Sequence, residues 1–140
     1  MGVVPGESEQ SVAEPVTVEL TNGGNNVDSI APQGSELVTT GVFTLAAGAQ
    51  PITESTCTIT DKNGVTTKWT YSGTIAPNTS LVIDTGKESI VNNGANAWAD
   101  FTVERDRPRW LTLEPHKNEI YITLTGGAGT LTVEYNDQWT

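Results

Sequence analysis

Reactive side chains are few in this chain of 140 residues, which carries one histidine, one cysteine and 17 carboxylates. Any Ser-His-acid or Cys-His nucleophile would have to use His116, which lies in the turn Glu114-Pro115-His116-Lys117-Asn118 and reads as a surface turn residue. No G-x-S-x-G elbow occurs, and Thr70-Tyr71-Ser72-Gly73 is not one. Cys57 alternates with Ile59 and reads as a small apolar core group rather than a reactive thiol. A carboxylate pair can hydrolyse a glycoside. Asp84, at a strand end, and Asp100, beside Phe101, are the candidates. The simpler reading has Asp84 capping the turn at Thr85-Gly86. Metal chemistry finds no C-x-x-C or H-E-x-x-H, and Asp61-Lys62-Asn63-Gly64 starts like a calcium loop but breaks off. Gly126-Gly127-Ala128-Gly129 joins two strands rather than a strand and a helix, so it cradles no phosphate. The expectation is a chain that is not an enzyme, with no catalytic residue, metal site or cofactor.

Binding chemistry has more to work with. Trp69, Trp98, Trp110 and Trp139, with Tyr71, Tyr121 and Tyr135, are many large aromatics beside only two Phe. Exposed, such rings stack on sugars or anchor protein interfaces. Trp69, Phe101 and Tyr135 fall on the apolar phase of their strands and read as core, whereas Tyr121 falls on the polar phase and is the foremost exposed aromatic. Tyr121, Trp98 and Trp110 are the candidate binding residues.

The elements that place these residues are strands. From Asn118 to Leu124, Ile120, Ile122 and Leu124 share one face and Tyr121 and Thr123 the other; from Thr130 to Tyr135, Leu131, Val133 and Tyr135 repeat the pattern. Such period-2 alternation marks half-buried strands, and the glycines between them allow the tight reversal of a β-hairpin with one apolar face that a second layer must cover. Upstream, Pro15 to Leu20, Leu37 to Leu45, Thr56 to Thr60, Thr66 to Tyr71, Leu81 to Asp84 and Trp98 to Val103 read as extended. Thr21 to Gly34, with its Asn-Gly run, reads as a loop. Eight to ten short strands and no sustained helical period give an all-β fold, an antiparallel β-sandwich of jelly-roll, galectin-like or carbohydrate-module-like type. Residues 1 to 14 are acidic and poor in large apolar groups and read as a flexible leader, with residues 15 to 140 as one domain.

Charge narrows the partners. The net charge is -10, and the first 61 residues contain eight acids without a Lys or Arg. That balance repels nucleic acid and anionic membranes, and Arg105, Arg107 and Arg109 are diluted by Asp106. No apolar run approaches the roughly 20 residues of a membrane helix, so neither nucleic acid nor membrane insertion is expected. A lone cysteine fits assembly in a reducing cytosol.

Gly73-Thr74-Ile75-Ala76-Pro77-Asn78-Thr79-Ser80-Leu81-Val82-Ile83-Asp84 resembles the "G-x-I-x-x-G-x-x-L-x-I-D" segment of the C-terminal domains of phage distal tail proteins. Val91-Asn92-Asn93-Gly94 looks like the hairpin that follows. Leu113 to Ile120 is similar to the family's "L-x-P-G-x-N-x-I" turn, and Val133-Glu134-Tyr135 with Trp139 to its terminal strand. Asn78 and His116 stand where the family has Gly. The resemblance implies a galectin-like or carbohydrate-module-like sandwich in a protein that forms rings at the tail tip. It also implies a structural virion subunit, made in the host cytoplasm and placed in the tail or baseplate. Its partners would be other virion proteins, further copies of itself and a host-surface glycan. A carbohydrate-binding module using exposed aromatics, a head-decoration protein and a glycosidase built on a carboxylate pair are the other readings.

Overall fold

The structure, a computed structural model, describes residues 9–12, 15–30, 41–61, 64–105 and 118–139. Two antiparallel sheets face each other. The seven-stranded sheet runs β1 (Glu9–Val12), β12 (Gly129–Trp139), β4 (Gly41–Ala47), β7 (Ser80–Asp84), β8 (Ser89–Asn92) and β9 (Ala95–Asn96), with β2 (Val16–Leu20) also on β12. The five-stranded sheet runs β10 (Phe101–Arg105), β6 (Thr66–Tyr71), β5 (Glu54–Asp61), β11 (Asn118–Thr125) and β3 (Gly23–Ile30). The expected β-sandwich is therefore the fold, with twelve strands among the described residues.

Register turns alternation into a core. Across the five-stranded sheet one row runs Val103, Trp69, Cys57 and Ile122, and a neighbouring row brings Ile59, Ile120 and Val27 together. Across the other sheet Val18, Leu131, Leu45 and Leu81 line up, beside Ile90, Ile83, Phe43 and Val133. These inward groups form one buried cluster between the sheets, with Val16, Val18, Val103 and Tyr135 packed against it. Each fully buried Leu, Ile, Val or Phe adds roughly 1.5–3 kcal/mol relative to exposure. Trp69 and Tyr71 are buried, as their phase requires, and Trp69 lies 5.7 Å from Phe101 between ring centroids.

β11 and β12 keep the alternation read from the sequence, but they do not form the expected hairpin: β11 pairs with β5 and β3 in one sheet and β12 with β4, β2 and β1 in the other, so the reversal between them carries the chain from sheet to sheet. The glycine turn that makes this crossing nests against the chain before β5. A Cβ at Gly126 would sit 2.9 Å from the Pro51 carbonyl, and Gly126 has φ +103°, so both space and backbone conformation demand glycine. Asn78, which stands where the resembling family has Gly, has φ 60° and donates its N–H to the Gly48 carbonyl at 3.0 Å. Asn is among the few residues that tolerate this left-handed region.

Three further expectations change. The Asn- and Gly-rich stretch read as a loop forms β3, because β11 has a second edge to pair and Ile120 gains Val27 as its inward neighbour. Asn25 braces the entry to β3: its side-chain carbonyl accepts from the Thr21 N–H at 2.9 Å and its amide donates to the Thr21 and Gly23 carbonyls. Trp98 is not in a strand but in a 3-10 turn, Trp98–Asp100, opened by Asn96 Oδ1 accepting the Trp98 N–H at 3.1 Å. Within residues 1 to 14, Glu9–Val12 pair with the end of β12, Glu9 opposite Trp139 and Val12 opposite Asn136. Unpaired strand edges recruit such segments. The register of β1 on β12 is offset by one residue from that of β2.

Candidate functional site

The carboxylates and the cysteine weighed for chemistry are held by the fold. Asp84 Oδ1 accepts the N–H groups of Gly86 at 3.1 Å and Lys87 at 3.0 Å, the turn cap read from the sequence. Asp61 is buried and its Oδ1 accepts the Val65 N–H at 3.0 Å, which turns it into the β5–β6 hairpin. Asp100 is exposed, and its carbonyl accepts from the Ser72 N–H at 2.9 Å. Cys57 is fully buried, and desolvation pushes its thiol far above the ordinary value, so it carries no nucleophilic thiolate near neutral pH. His116, Trp110, Arg107 and Arg109 lie outside the described residues.

The two described binding candidates go to different places. Trp98 is 39% exposed and sets its ring edge-on to Phe101, 5.9 Å between centroids and 88° between planes. It closes the end of the sandwich where β9 hands over to β10. Tyr121 is 46% exposed on the outer face of the five-stranded sheet. Among the described residues these are the exposed large hydrophobics.

Around Tyr121 the sheet builds an open cleft of about 450 Å³ lined by Asn26, Thr58, Thr60, Glu119 and Tyr121, with Val27 and Ile120 beneath. The register explains the set. Tyr121 is paired with Thr58 on β5 and Asn26 on β3, and Glu119 with Thr60. The β3–β11 ladder shifts register between Asn118 and Ile120, so β3 is irregular beside Glu119. Bulges of this kind re-aim side chains and often flank sites.

Tyr121 is placed by a residue the sequence did not single out. A Cβ on Gly24 would overlap the Tyr121 hydroxyl and sit 2.8 Å from Cζ. The phenol therefore reaches diagonally across β3 into the space a side chain at position 24 would fill. Diagonal neighbours on adjacent strands are within reach of aromatic side chains. Only the pairing of β3 with β11, across almost a hundred residues, reveals this.

Comparison with known proteins places the whole. The model of the family described as siphovirus-type tail component, C-terminal domain, matches residues 38–139. The crystal structure of SPP1 Dit (gp 19.1), described as a paradigm of the hub adsorption apparatus in phages infecting Gram-positive hosts, is similar with a TM-score of 0.61 at 17% identity. That similarity covers 94% of this chain and 49% of the SPP1 protein, so the chain spans about half the length of the structure it resembles. Among curated proteins, none matches.

Proposed function

The chain belongs to the siphovirus-type tail component family, in its C-terminal domain, and from this premise we propose that it is a structural subunit of a phage tail, placed at the distal tip or baseplate. The observation that carries the reading is the family match over residues 38–139. The sandwich supports it: the functional demand on such a subunit is a rigid body with usable surfaces, and Asp61, Asp84 and Cys57 are committed to turns and core.

Assembly works through strand edges. Among the described residues β3 and β10 lie at the edges of the five-stranded sheet, and β1, β2 and β9 at those of the other. Strand edges are where a neighbouring chain can pair. Partners are other tail proteins and further copies of this chain, in a closed ring of the kind that heterologous contacts generate. Assembly takes place in the host cytoplasm and the product resides in the virion tail, with no catalytic step. Host adhesion is a second role, favoured by the aromatic cleft around Tyr121. Light scattering with negative-stain microscopy tests the assembly reading. Rings or discrete multimers are expected, alone or on addition of purified tails. A strict monomer that joins no tail overturns it.

A further inference from the structure

We propose that the outer face of the five-stranded sheet is a binding site for a neutral pyranose of a surface polysaccharide, with Tyr121 as the stacking platform. The inference rests on the tail reading only for the source of its ligand, the host surface.

The face offers what a sugar ring needs and little that another protein would use. Tyr121 is an isolated ring, 46% exposed, in a field of threonines. A protein interface core of useful strength needs a contiguous apolar patch of several hundred Å², and one phenol does not supply it. The β5 and β11 backbones under the cleft are paired on both sides, so a peptide can add as a strand only along β3, at the far side from Tyr121. A pyranose is amphipathic on the right scale. Its C–H face lies on an aromatic ring, and its hydroxyls seek amides, hydroxyls and carboxylates. Asn26, Thr58 and Thr60 provide those groups around the phenol.

Charge selects the class of glycan. Among the described lining residues the charged group is the Glu119 carboxylate, and the exposed Lys68 stands one strand further out, opposite Thr58. The chain as a whole carries -10. Phosphate-bearing polyols and uronic acids are repelled, whereas a neutral hexose or N-acetylhexosamine is not. Gly24 keeps the phenol across β3, so the platform is fixed before the ligand arrives and loses little freedom on binding.

Titration of the ¹⁵N-labelled protein with methyl glycosides of glucose, galactose and N-acetylglucosamine, and with their oligomers, tests this. Saturable shifts confined to Asn26, Thr58 to Thr60 and Glu119 to Thr123 are expected with at least one of them, with millimolar affinity for a single ring. Tyr121→Ala is expected to weaken binding at least tenfold and Tyr121→Phe to retain it, both with an unchanged spectrum elsewhere. Gly24→Ala, which displaces the phenol, is expected to behave like Tyr121→Ala. No neutral sugar shifting this face in the folded protein overturns the proposal, as does undiminished binding by Tyr121→Ala. Preferential binding of poly(glycerol phosphate) overturns it too. Tail incorporation of Tyr121→Ala keeps the two readings apart: a variant that enters tails but binds no sugar upholds both, and one that binds sugar normally yet enters tails overturns only the glycan site.

Discussion

Ile122→Ala and Thr123→Ala are adjacent substitutions on β11 that the fold treats in opposite ways. Ile122 is fully buried in the row between Cys57 and β3, while Thr123 looks outward between Thr56 and Gly24. Truncating Ile122 removes three carbons, worth about 0.8 kcal/mol each in transfer free energy, or about 2.4 kcal/mol together. The packed sheets collapse only in part around the gap, so a cavity contribution brings the expected cost to about 2–5 kcal/mol. Thr123→Ala removes a half-exposed hydroxyl and methyl and is expected to cost under about 0.5 kcal/mol. Urea unfolding followed by tryptophan fluorescence measures both, provided the slope against urea is the same as for the parent protein. Equal costs would refute the register of β11 and, with it, the orientation of Tyr121, because a one-residue slip exchanges the two faces.

Other outcomes follow from single contacts. Thr85 Oγ1 accepts the Gly41 N–H at 2.7 Å and donates to the Gly41 carbonyl at 2.9 Å in a buried setting, so Thr85→Val is expected to cost about 1–3 kcal/mol by removing the hydroxyl acceptor of the Gly41 N–H, while the Gly41 carbonyl keeps the Thr85 N–H at 2.9 Å; an unchanged urea midpoint would contradict this. Asn78→Val is expected to lose about 1–2 kcal/mol to its left-handed backbone, while Asn78→Gly is expected to be neutral or stabilising in the same assay. Because burial holds the Cys57 thiol above its ordinary value of 9.0, the folded state keeps its proton where the unfolded state loses it. The contribution is thus complete below pH 9.0 and declines as pH rises beyond it. Alkylation of Cys57 at pH 8 only after unfolding, and a shallower alkaline loss of stability in Cys57→Ala, would bear this out.

How much of this was legible before the structure depends on the range of the forces involved. The strands β11 and β12, the burial of Trp69 and Cys57 and the cap at Asp84 were legible, because alternation and turn chemistry are local; the pairing of β11 and β12 was not, since two strands joined by a tight reversal can pair or can part into two sheets, and here they part. Tyr121 was legible as an outward ring for the same reason. β3 was not: GGNNVDSI has the composition of a loop, and it is a strand because β11 offers an edge that Val27 and Asn25 fit. Gly24 was invisible for a related reason, since its meaning lies in the space it leaves for a ring from a distant strand. The 3-10 turn at Trp98 was half legible, its short run of residues being compatible with one helical turn or with a strand until Phe101 and Val103 took inward places opposite Tyr71 and Trp69. The resemblance across Gly73 to Trp139 carried the family, and the family match extends it upstream to residue 38.

The most direct measurement for the central claim is immunogold electron microscopy of virions of the phage that encodes this chain, using antibody raised against the folded domain. The account predicts label at the distal end of the tail, and the same label on virions carrying Tyr121→Ala. Label on the capsid, or virions without label while the protein stays free in the lysate, would contradict it.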